Sequence, residues 1–407
     1  MNSDQLTHRP PLTGVKILDF TWALVGALST KYLGDYGATV IKIESMSRPC
    51  VSRFIKQIAV SDPRNPDDKP WFSHLNTSKR SFALNLKHPR SEEVLDRFIS
   101  WADVVTENFS PGTMARLGLD YDSLSKKRPD IIMASGSVYG QTGPLAPTPG
   151  IDSTGASLAG RVFLTGWPDR QPPVPAVPYG DVVLPKFIAG TIAAALDYRR
   201  RSGHGTHIDA SMYEVLVQQL IYPLAQTQTG DSRPVRMGNR SEYALYQGVF
   251  PCKGEDNWIA LTIFNRDDWH SFTELVGGDW PTADQLLIMT NDGLEALDLK
   301  VGSFTEKHEC SALMHDLQGA GIAAGVAQDI ESVFIDPQLR YREVLADLDH
   351  PILGKFGHQV TPFRLSRTPA RVFRAPGMGE HTDEICRDVL GYTDAEITRL
   401  REEKVLF

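Results

Sequence analysis

Short apolar runs alternate with helical patterns along the first third of the chain. Residues 14–20 have the composition of a short buried strand, and residues 28–36 carry apolar side chains at helical spacing. A second apolar strand is predicted at 39–44. A strand, a glycine-containing turn, a helix and a strand within about thirty residues form a βαβ unit. This unit predicts the start of a parallel sheet.

The same alternation continues after residue 80. Strands are predicted at 81–86, 103–108 and 131–135, and helices at 89–101 and 111–117. Alternating strands and helices are typical of an α/β architecture. Because ligands bind at the carboxyl ends of parallel strands, the loops after Phe20, Glu44 and Asn108 are candidate site loops.

The tract 139–178 breaks this rhythm because it is rich in glycine and proline. A loop of that length is usually functional or wraps a neighbour. An apolar stretch with helical spacing follows and ends near Gly203. Residues 206–210 are predicted to lead into a second helix, which should end near Tyr222 because Pro223 comes next.

The composition shifts after Thr229. A strand at 258–264, a helix at 267–276 and a return strand at 321–326 predict a smaller α+β domain. A chain of 407 residues is too long for one compact core, which also favours two domains. The predicted bounds are 1–215 and 330–407 for the large α/β domain, 236–320 for the small domain, and 216–235 and 321–329 for linkers.

Composition and charge exclude several classes of protein. The net charge of −8 argues against nucleic-acid binding, which needs a basic surface. The four cysteines are scattered, and the eleven histidines show no clustered spacing, so no metal site is predicted. No apolar run of eighteen residues and no secretory signal pattern stand out, which predicts a cytoplasmic protein that does not enter a membrane.

Asp181 is the residue with the most informative position. It stands between the proline-rich tract and the apolar helical stretch, so its carboxylate should lie at the positive end of a helix dipole. A carboxylate held ionised in that way can be a nucleophile. It can also simply cap the helix, as aspartate often does.

Several segments, in order along the chain, resemble class III CoA-transferases, the formyl-CoA and carnitine CoA-transferase family. The resemblance runs from about residue 11 to the end of the chain. The matching segments are 11–20, 33–44, 79–87, 103–112, 140–144, 149–152, 201–209, 350–354 and 375–382.

The resemblance implies that Asp181 is the catalytic nucleophile. The implied reaction moves CoA from an acyl-CoA thioester to a carboxylic acid through an aspartyl-CoA thioester, and it needs no tightly bound cofactor, metal or ATP. The implied fold is a large domain with a Rossmann-like parallel sheet plus a smaller α+β domain, in an interlinked homodimer.

The resemblance also implies a set of residues that bind coenzyme A. Basic side chains suited to its phosphates are Lys42, Lys79, Arg80, Lys87 and Arg116. The full set of predicted CoA-binding residues is Ala23, Leu24, Val25, Leu84, Lys87, Asn108, Phe109, Arg116, Tyr139 and Asp152. The chain departs from the family pattern at Leu24, where a polar residue is frequent, and at Ser45, where arginine is frequent.

The acid that accepts CoA is less well defined by the sequence. Arg236, Arg240 and Tyr243 could meet its carboxylate, since arginine pairs with carboxylates in bidentate fashion, although surface charge explains these residues equally well. The resemblance suggests a dicarboxylic acid such as succinate or a substituted succinate.

Three other functions compete with CoA transfer as interpretations of the sequence. An acyl-CoA epimerase similar to the α-methylacyl-CoA racemases would use a histidine in a Gly-His-Asp triplet, but Ile151 stands there and cannot move a proton. A nicotinamide dehydrogenase would need a G-x-G-x-x-G turn, whereas Gly26 stands alone after the first strand. A non-catalytic binding protein would not need Asp181.

Overall fold

A computed structural model describes residues 9–55, 60–62, 64–230 and 234–407. The chain divides into two compact units. Unit 1 consists of the residues up to Arg161 together with Pro175–Leu224 and Arg342–Phe407, and unit 2 consists of Val162–Val174 and Ala225–Tyr341. The predicted small domain, 236–320, lies within unit 2, and the predicted domain bounds stay predictions.

Unit 1 is built on a six-stranded sheet in which every neighbouring pair is parallel. The strands are β1 (Lys16–Asp19), β2 (Thr39–Glu44), β3 (Lys79–Ala83), β4 (Val104–Glu107), β5 (Ile132–Ser137) and β6 (Thr206–Ser211). Their order, β3-β2-β1-β4-β5-β6, is that of a doubly wound nucleotide-binding sheet. The predicted α/β fold with a Rossmann-like sheet is confirmed.

Helices of unit 1 supply much of the core around this sheet. They are α1 (Val25–Asp35), α2 (Pro70–Leu75), α3 (Ser91–Trp101), α4 (Thr113–Arg116), α5 (Tyr121–Lys127), α6 (Asp152–Leu158), α8 (Tyr179–Ser202) and α9 (Met212–Gln218). Two more helices, α7 (Arg161–Leu164) and α10 (Ile221–Thr229), lie where the chain passes from unit 1 to unit 2. Phe98 of α3 packs edge-on against Phe82 of β3, and both rings are fully buried. Burying such rings is a main source of core stability.

Unit 2 has a three-stranded antiparallel sheet in the order β7-β8-β9, again with helices packed against it. Its strands are β7 (Tyr246–Pro251), β8 (Trp258–Ile263) and β9 (Ala323–Val326). Its helices are α11 (Arg266–Val276), α12 (Ala283–Leu287), α13 (Asn291–Thr305), α14 (Cys310–Gly319), α15 (Ile330–Ile335) and α16 (Pro337–Tyr341). Trp269 and Phe272 of α11 lie in its core, as an α+β domain requires.

The last part of the chain returns to unit 1. It forms the antiparallel hairpin β10 (Leu345–His350) and β11 (Gly354–Gln359), followed by α17 (Thr382–Asp388) and α18 (Asp394–Glu402). Ile385 and Leu400, one from each helix, join the same core as Phe98. The C-terminal residues are therefore an integral part of the unit that carries the parallel sheet.

One local prediction after residue 210 is wrong. Residues Thr206–Ser211 form strand β6 at the edge of the sheet and lead into the predicted helix, but this helix, α9, ends at Gln218 and not near Tyr222. A further helix, α10, contains Pro223. Proline fits there because the third position of a helix needs no amide N–H for an internal hydrogen bond.

The helix α8 is long and apolar. Its 24 residues include an eighteen-residue window of mean hydropathy 1.3, so length and composition alone would let it cross a membrane. One third of that window is buried, and Ile188 and Ile192 are among the residues inside unit 1. The core helix of a globular protein passes the same test.

Candidate active site

Asp181 lies in the first turn of α8, two residues after the helix begins at Tyr179. The last turn holds the arginines 199–201, and Gly203 ends the helix with a φ of 75°. An acidic first turn and a basic last turn both complement the helix dipole. These charges and the terminal glycine explain why the helix spans these residues.

Pro185 lies inside α8, four residues after Asp181. Because proline has no amide N–H, it cannot donate the helical hydrogen bond to the carbonyl oxygen of Asp181. The first turn of α8 therefore depends more than usual on contacts from outside the helix.

Asp152, the first residue of α6, makes such a contact. Its Oδ1 accepts a hydrogen bond of 2.6 Å from the N–H of Gly180, and only 6% of Asp152 is exposed. A Cβ atom at residue 180 would lie 2.6 Å from that oxygen and 2.7 Å from the Cγ of Met212. Residue 180 must therefore be glycine. Its contact places the carboxylate of Asp152 against the residue next to Asp181.

The environment of Asp181 makes its carboxylate unusually basic. Burial, and next the negative charge of Asp152, raise the pKa of Asp181 from 3.8 to about 6. The helix N-terminus acts in the opposite direction, since its dipole favours the ionised form. At neutral pH the side chain is a carboxylate, but a more basic one than an exposed aspartate.

A second group of predicted residues meets where strand order reverses between β1 and β4. Oδ1 of Asn108 accepts a hydrogen bond of 2.6 Å from the N–H of Trp22, and Nδ2 of Asn108 donates one of 2.9 Å to the carbonyl of Trp22. The ring of Phe109 packs edge-on against that of Trp22. Ligands of doubly wound sheets bind at this point of strand reversal.

The turn after β1 carries the predicted residues Ala23, Leu24 and Val25. Ala23 has a φ of 53°, which is uncommon for a residue with a side chain, and its N–H donates to the Sγ of Cys50 at 3.3 Å. Gly26 follows, where a Cβ atom would lie 2.2 Å from the Cβ of Thr21. Backbone in rare conformations is concentrated at ligand-binding turns.

Two lysines named as phosphate ligands are instead buried beneath this turn. Nζ of Lys79 donates to Oδ2 of Asp19 at 3.1 Å, and Nζ of Lys42 donates to the carbonyl of Thr21. Although burial opposes ionisation of Asp19, Lys79, Lys42 and hydrogen bonds from Thr21 hold its pKa at about 2. Lys42 and Lys79 therefore stabilise the turn rather than reach a ligand.

The remaining predicted CoA contacts are dispersed along the same edge of the sheet. Lys87 is exposed in the loop after β3. Arg116 is exposed at the end of α4, the helix that follows β4, and it donates to Oγ1 of Thr113 at 2.8 Å. Leu84 is fully buried in the core, so only its backbone is available to a ligand. Tyr139 is buried after β5, where its ring meets that of Tyr213.

The arginines considered for the acceptor acid have protein partners in unit 2. Arg240 forms an ion pair with Asp298 at 2.5 Å. Arg236 donates to the carbonyl oxygens of Trp167 and Phe163, both at 3.1 Å. Both guanidinium groups thus hold unit 2 together in this structure.

Three residues of this arrangement are not predicted from the sequence: Trp22, Cys50 and Gly180. Two of them act through backbone N–H groups, which no side-chain motif reveals.

Within the described ranges, no three His, Cys, Asp or Glu residues are grouped to hold a metal ion. A surface cavity lined by Asp130 and Arg199 lies near the far end of α8 from Asp181, and the carboxylate of Asp130 is paired there with Arg128 and Arg199.

The six-stranded parallel sheet, with loops gathered at the point of strand reversal and a half-buried basic carboxylate at Asp181, defines an α/β protein of the doubly wound, nucleotide-binding kind. The model of CoA-transferase family III matches residues 12–382, so the chain belongs to that family. The prediction of a class III CoA-transferase is confirmed, and the family acts on CoA thioesters.

Characterised relatives span nearly the whole chain. The formyl-CoA:oxalate CoA-transferase of Rhodopseudomonas palustris (strain HaA2) is 30% identical over 97% of each chain. The succinyl-CoA:glutarate CoA-transferase of Homo sapiens is 28% identical over 96% of this chain and 88% of its own length. A crystal structure of a CAIB/BAIF family protein from Brucella suis matches 94% of this chain and 100% of that chain, with a TM-score of 0.84 and 26% identity.

Proposed function

We propose that this protein transfers CoA from an acyl-CoA thioester to a free carboxylic acid, with Asp181 as the covalent nucleophile. The observation that carries the proposal is the half-buried carboxylate of Asp181, whose pKa is raised to about 6 at the start of α8. A more basic carboxylate is a better nucleophile. At neutral pH it is still largely ionised.

In each step, one bond forms for every bond that breaks. An oxygen of Asp181 attacks the thioester carbon, the C–O bond forms, and the C–S bond breaks to release CoA thiolate. The thiolate then attacks the Asp181 carbonyl of the mixed anhydride, so that aspartyl-CoA forms and the donor acid leaves. The acceptor acid repeats these steps in reverse. Free N–H groups in the first turn of α8 are suited to stabilise the developing oxyanions.

Coenzyme A would bind along the carboxyl edge of the parallel sheet. The turn formed by Ala23, Leu24 and Val25 and the loop of Asn108 and Phe109 would receive the pantetheine and adenine ends. The exposed cations Lys87 and Arg116 would meet the phosphates. The position of these loops at the strand reversal supports this arrangement.

We infer that the acceptor is a small dicarboxylic acid. Oxalate and glutarate appear in the names of the two relatives, and both are dicarboxylic acids. Succinyl-CoA and formyl-CoA, the donors in those names, are accordingly the first donors to test.

Epimerisation of an acyl-CoA is the competing reaction. It would need a second group able to exchange a proton at the acyl α-carbon. Ile151, which stands where the resemblance places the histidine of the epimerases, is 68% exposed and has no titratable group. This observation favours transfer.

We also propose the interlinked homodimer. Large apolar side chains are exposed on several helices, among them Phe187 (51%), Ile221 (71%), Ile335 (71%) and Tyr341 (84%). Such surfaces are typical of interfaces. Light scattering after size exclusion should give twice the chain mass of 45.1 kDa, and a stable monomer at micromolar concentration would contradict the proposal.

One assay in heavy water tests transfer against epimerisation. Purified protein is incubated with succinyl-CoA or formyl-CoA and with glutarate or oxalate, and the acyl-CoA products are analysed by mass spectrometry. New glutaryl-CoA or oxalyl-CoA without deuterium at the succinyl α-carbon is expected. Deuterium uptake without a new thioester would assign the epimerase instead.

A further inference from the structure

Two carboxylates approach each other at the start of α8. Asp152 is almost fully buried, and its Oδ1 accepts the N–H of Gly180, one residue before Asp181. This N–H belongs to the first turn of α8, where amide groups have no partner within the helix. Asp152 therefore supplies a partner to an amide that the helix itself leaves without one.

We propose that Asp152 is a positioning residue for CoA transfer: its carboxylate fixes the first turn of α8, and its charge favours the covalent states of Asp181 over the free carboxylate. The inference rests on the function proposed above. It assigns Asp152 a role in the reaction itself, in addition to the predicted contact with CoA.

The electrostatic part of the argument follows from the change of charge at Asp181. As a free carboxylate Asp181 is negative and is repelled by Asp152. As a mixed anhydride or an aspartyl-CoA thioester it is neutral, so the repulsion disappears. The same repulsion disfavours ionisation, which agrees with the contribution of Asp152 to the raised pKa of Asp181. Asp152 thus shifts the equilibrium toward the covalent enzyme.

Other charged groups near α8 do not account for this effect. α8 packs against α1, α6, α9, β5 and β6. The titratable residues of these elements and of the first turns of α8 are Lys31, Tyr32, Asp35, Asp152, Tyr179, Lys186, His207, Asp209, Tyr213 and Glu214. Arg161 of α7 also faces this turn, with its guanidinium 4.3 Å from the ring centroid of Tyr179, but a positive charge would favour the ionised form of Asp181. Lys31 pairs with Asp35, and Asp209 accepts the N–H of Gln141. The charge that acts on Asp181 is that of Asp152.

Asp152→Asn separates the two parts of the role. The amide oxygen can still accept the N–H of Gly180, while the negative charge is removed. Asp197→Asn is the matched control, because it removes one carboxylate from the exposed side of the same helix. Thermal melting and circular dichroism establish that both variants fold.

The first readout needs no acyl-CoA. A water-soluble carbodiimide with glycine ethyl ester labels protonated carboxyl groups, and peptide mass spectrometry follows the label on Asp181 from pH 4 to 8, normalised to exposed carboxylates in the same digest. The expected midpoint is near pH 6 for the wild type and Asp197→Asn. It is lower by up to about one pH unit in Asp152→Asn, because burial is the larger cause of the shift. An unchanged midpoint in Asp152→Asn would overturn the proposal.

The second readout is the amount of aspartyl-CoA formed from succinyl-CoA after rapid quenching. Asp152→Asn should reduce the equilibrium fraction of adduct by up to about tenfold, which corresponds to one pH unit. An undiminished fraction would overturn the proposal. No adduct in the wild type would instead reject the proposed transferase mechanism, and the carbodiimide titration would still report the coupling of Asp152 to Asp181.

Discussion

At the residue scale, the chemistry depends on how basic Asp181 is. Burial, with the charge of Asp152, raises its pKa to about 6, so the ionised nucleophile is lost as the pH falls through that value. The pH profile of kcat/KM should therefore show an acid limb near pH 6. Steady-state transfer assays from pH 4.5 to 8 would measure it. A limb near pH 4, the value of an ordinary aspartate, would contradict this account of the site.

Arg116 provides a second test at the residue scale. Its guanidinium group is exposed and donates to the hydroxyl of Thr113, which leaves it accessible to a phosphate. Arg116→Ala should raise the KM for acyl-CoA by about tenfold, the effect of losing one charged hydrogen bond, and leave the KM for the acid unchanged. Lys126→Ala, which removes an exposed cation from the next helix, α5, is the control. Equal effects on both substrates would reject the role of Arg116.

At the element scale, Asn108 joins the turn after β1 to the loop after β4. Asn108→Ala removes both hydrogen bonds to the backbone of Trp22, leaving those groups without their partner. We expect a loss of unfolding free energy of about 1–3 kcal/mol and a higher KM for acyl-CoA. Urea unfolding and steady-state kinetics would measure the two effects.

Asn257→Ala is the matched control for Asn108→Ala. Its amide donates to the carbonyl of Lys253 at an exposed position in unit 2, outside the parallel sheet. It should change stability slightly and the KM for acyl-CoA not at all. Equal increases in the KM for acyl-CoA in the two variants would contradict the proposed role of Asn108 at the site.

The pattern of apolar residues locates the first five strands of the parallel sheet, because buried parallel strands are rich in apolar residues. The third strand is displaced from its predicted range of 81–86, since β3 begins at Lys79 and ends at Ala83. Strand β6 was missed because Thr206–Ser211 lies at the sheet edge, alternates polar residues and is partly exposed. The short helix α6 was missed because Gly150 and Pro149 before it indicate a loop. Local pattern thus identifies central elements and fails at edges.

The site was predicted less completely than the fold. Asp181 could be singled out because its position before an apolar helical stretch is visible in the sequence. The contact of Asp152 with Gly180 could not, since it joins residues 28 positions apart through a backbone N–H. Lys42 and Lys79 were misjudged because sequence does not show that both lysines are buried beside Asp19. Lysines are rarely buried unless they are paired.

At the scale of the whole molecule, acid should weaken the attachment of the β10–β11 hairpin. His74 of α2 lies 5.2 Å from His358 of β11, measured between ring centroids. Burial, and next the charges of His358 and Lys31, lower the pKa of His74 from 6.5 to about 4. The unfolded chain therefore binds the proton more readily, and stability falls as the pH drops from 6.5 to 4.

His74→Phe should reduce this loss. Between pH 7 and 5 the Tm of the variant should fall several degrees less than that of the wild type, since about 1 kcal/mol corresponds to roughly 2–4 °C for a large domain. His270→Phe, at an exposed position, is the control. An equal fall in Tm for His74→Phe and the wild type between pH 7 and 5 would refute the role of His74.

The measurement that tests the central claim most directly is peptide mass spectrometry of the quenched enzyme. Wild-type protein, Asp181→Asn and the control Asp197→Asn are incubated with succinyl-CoA, quenched in acid within seconds and digested. The account predicts a CoA-sized adduct on the peptide that contains Asp181 in the wild type and the control, and none in Asp181→Asn. An adduct on another residue, or CoA transfer from succinyl-CoA to glutarate by Asp181→Asn at the wild-type rate, would contradict it.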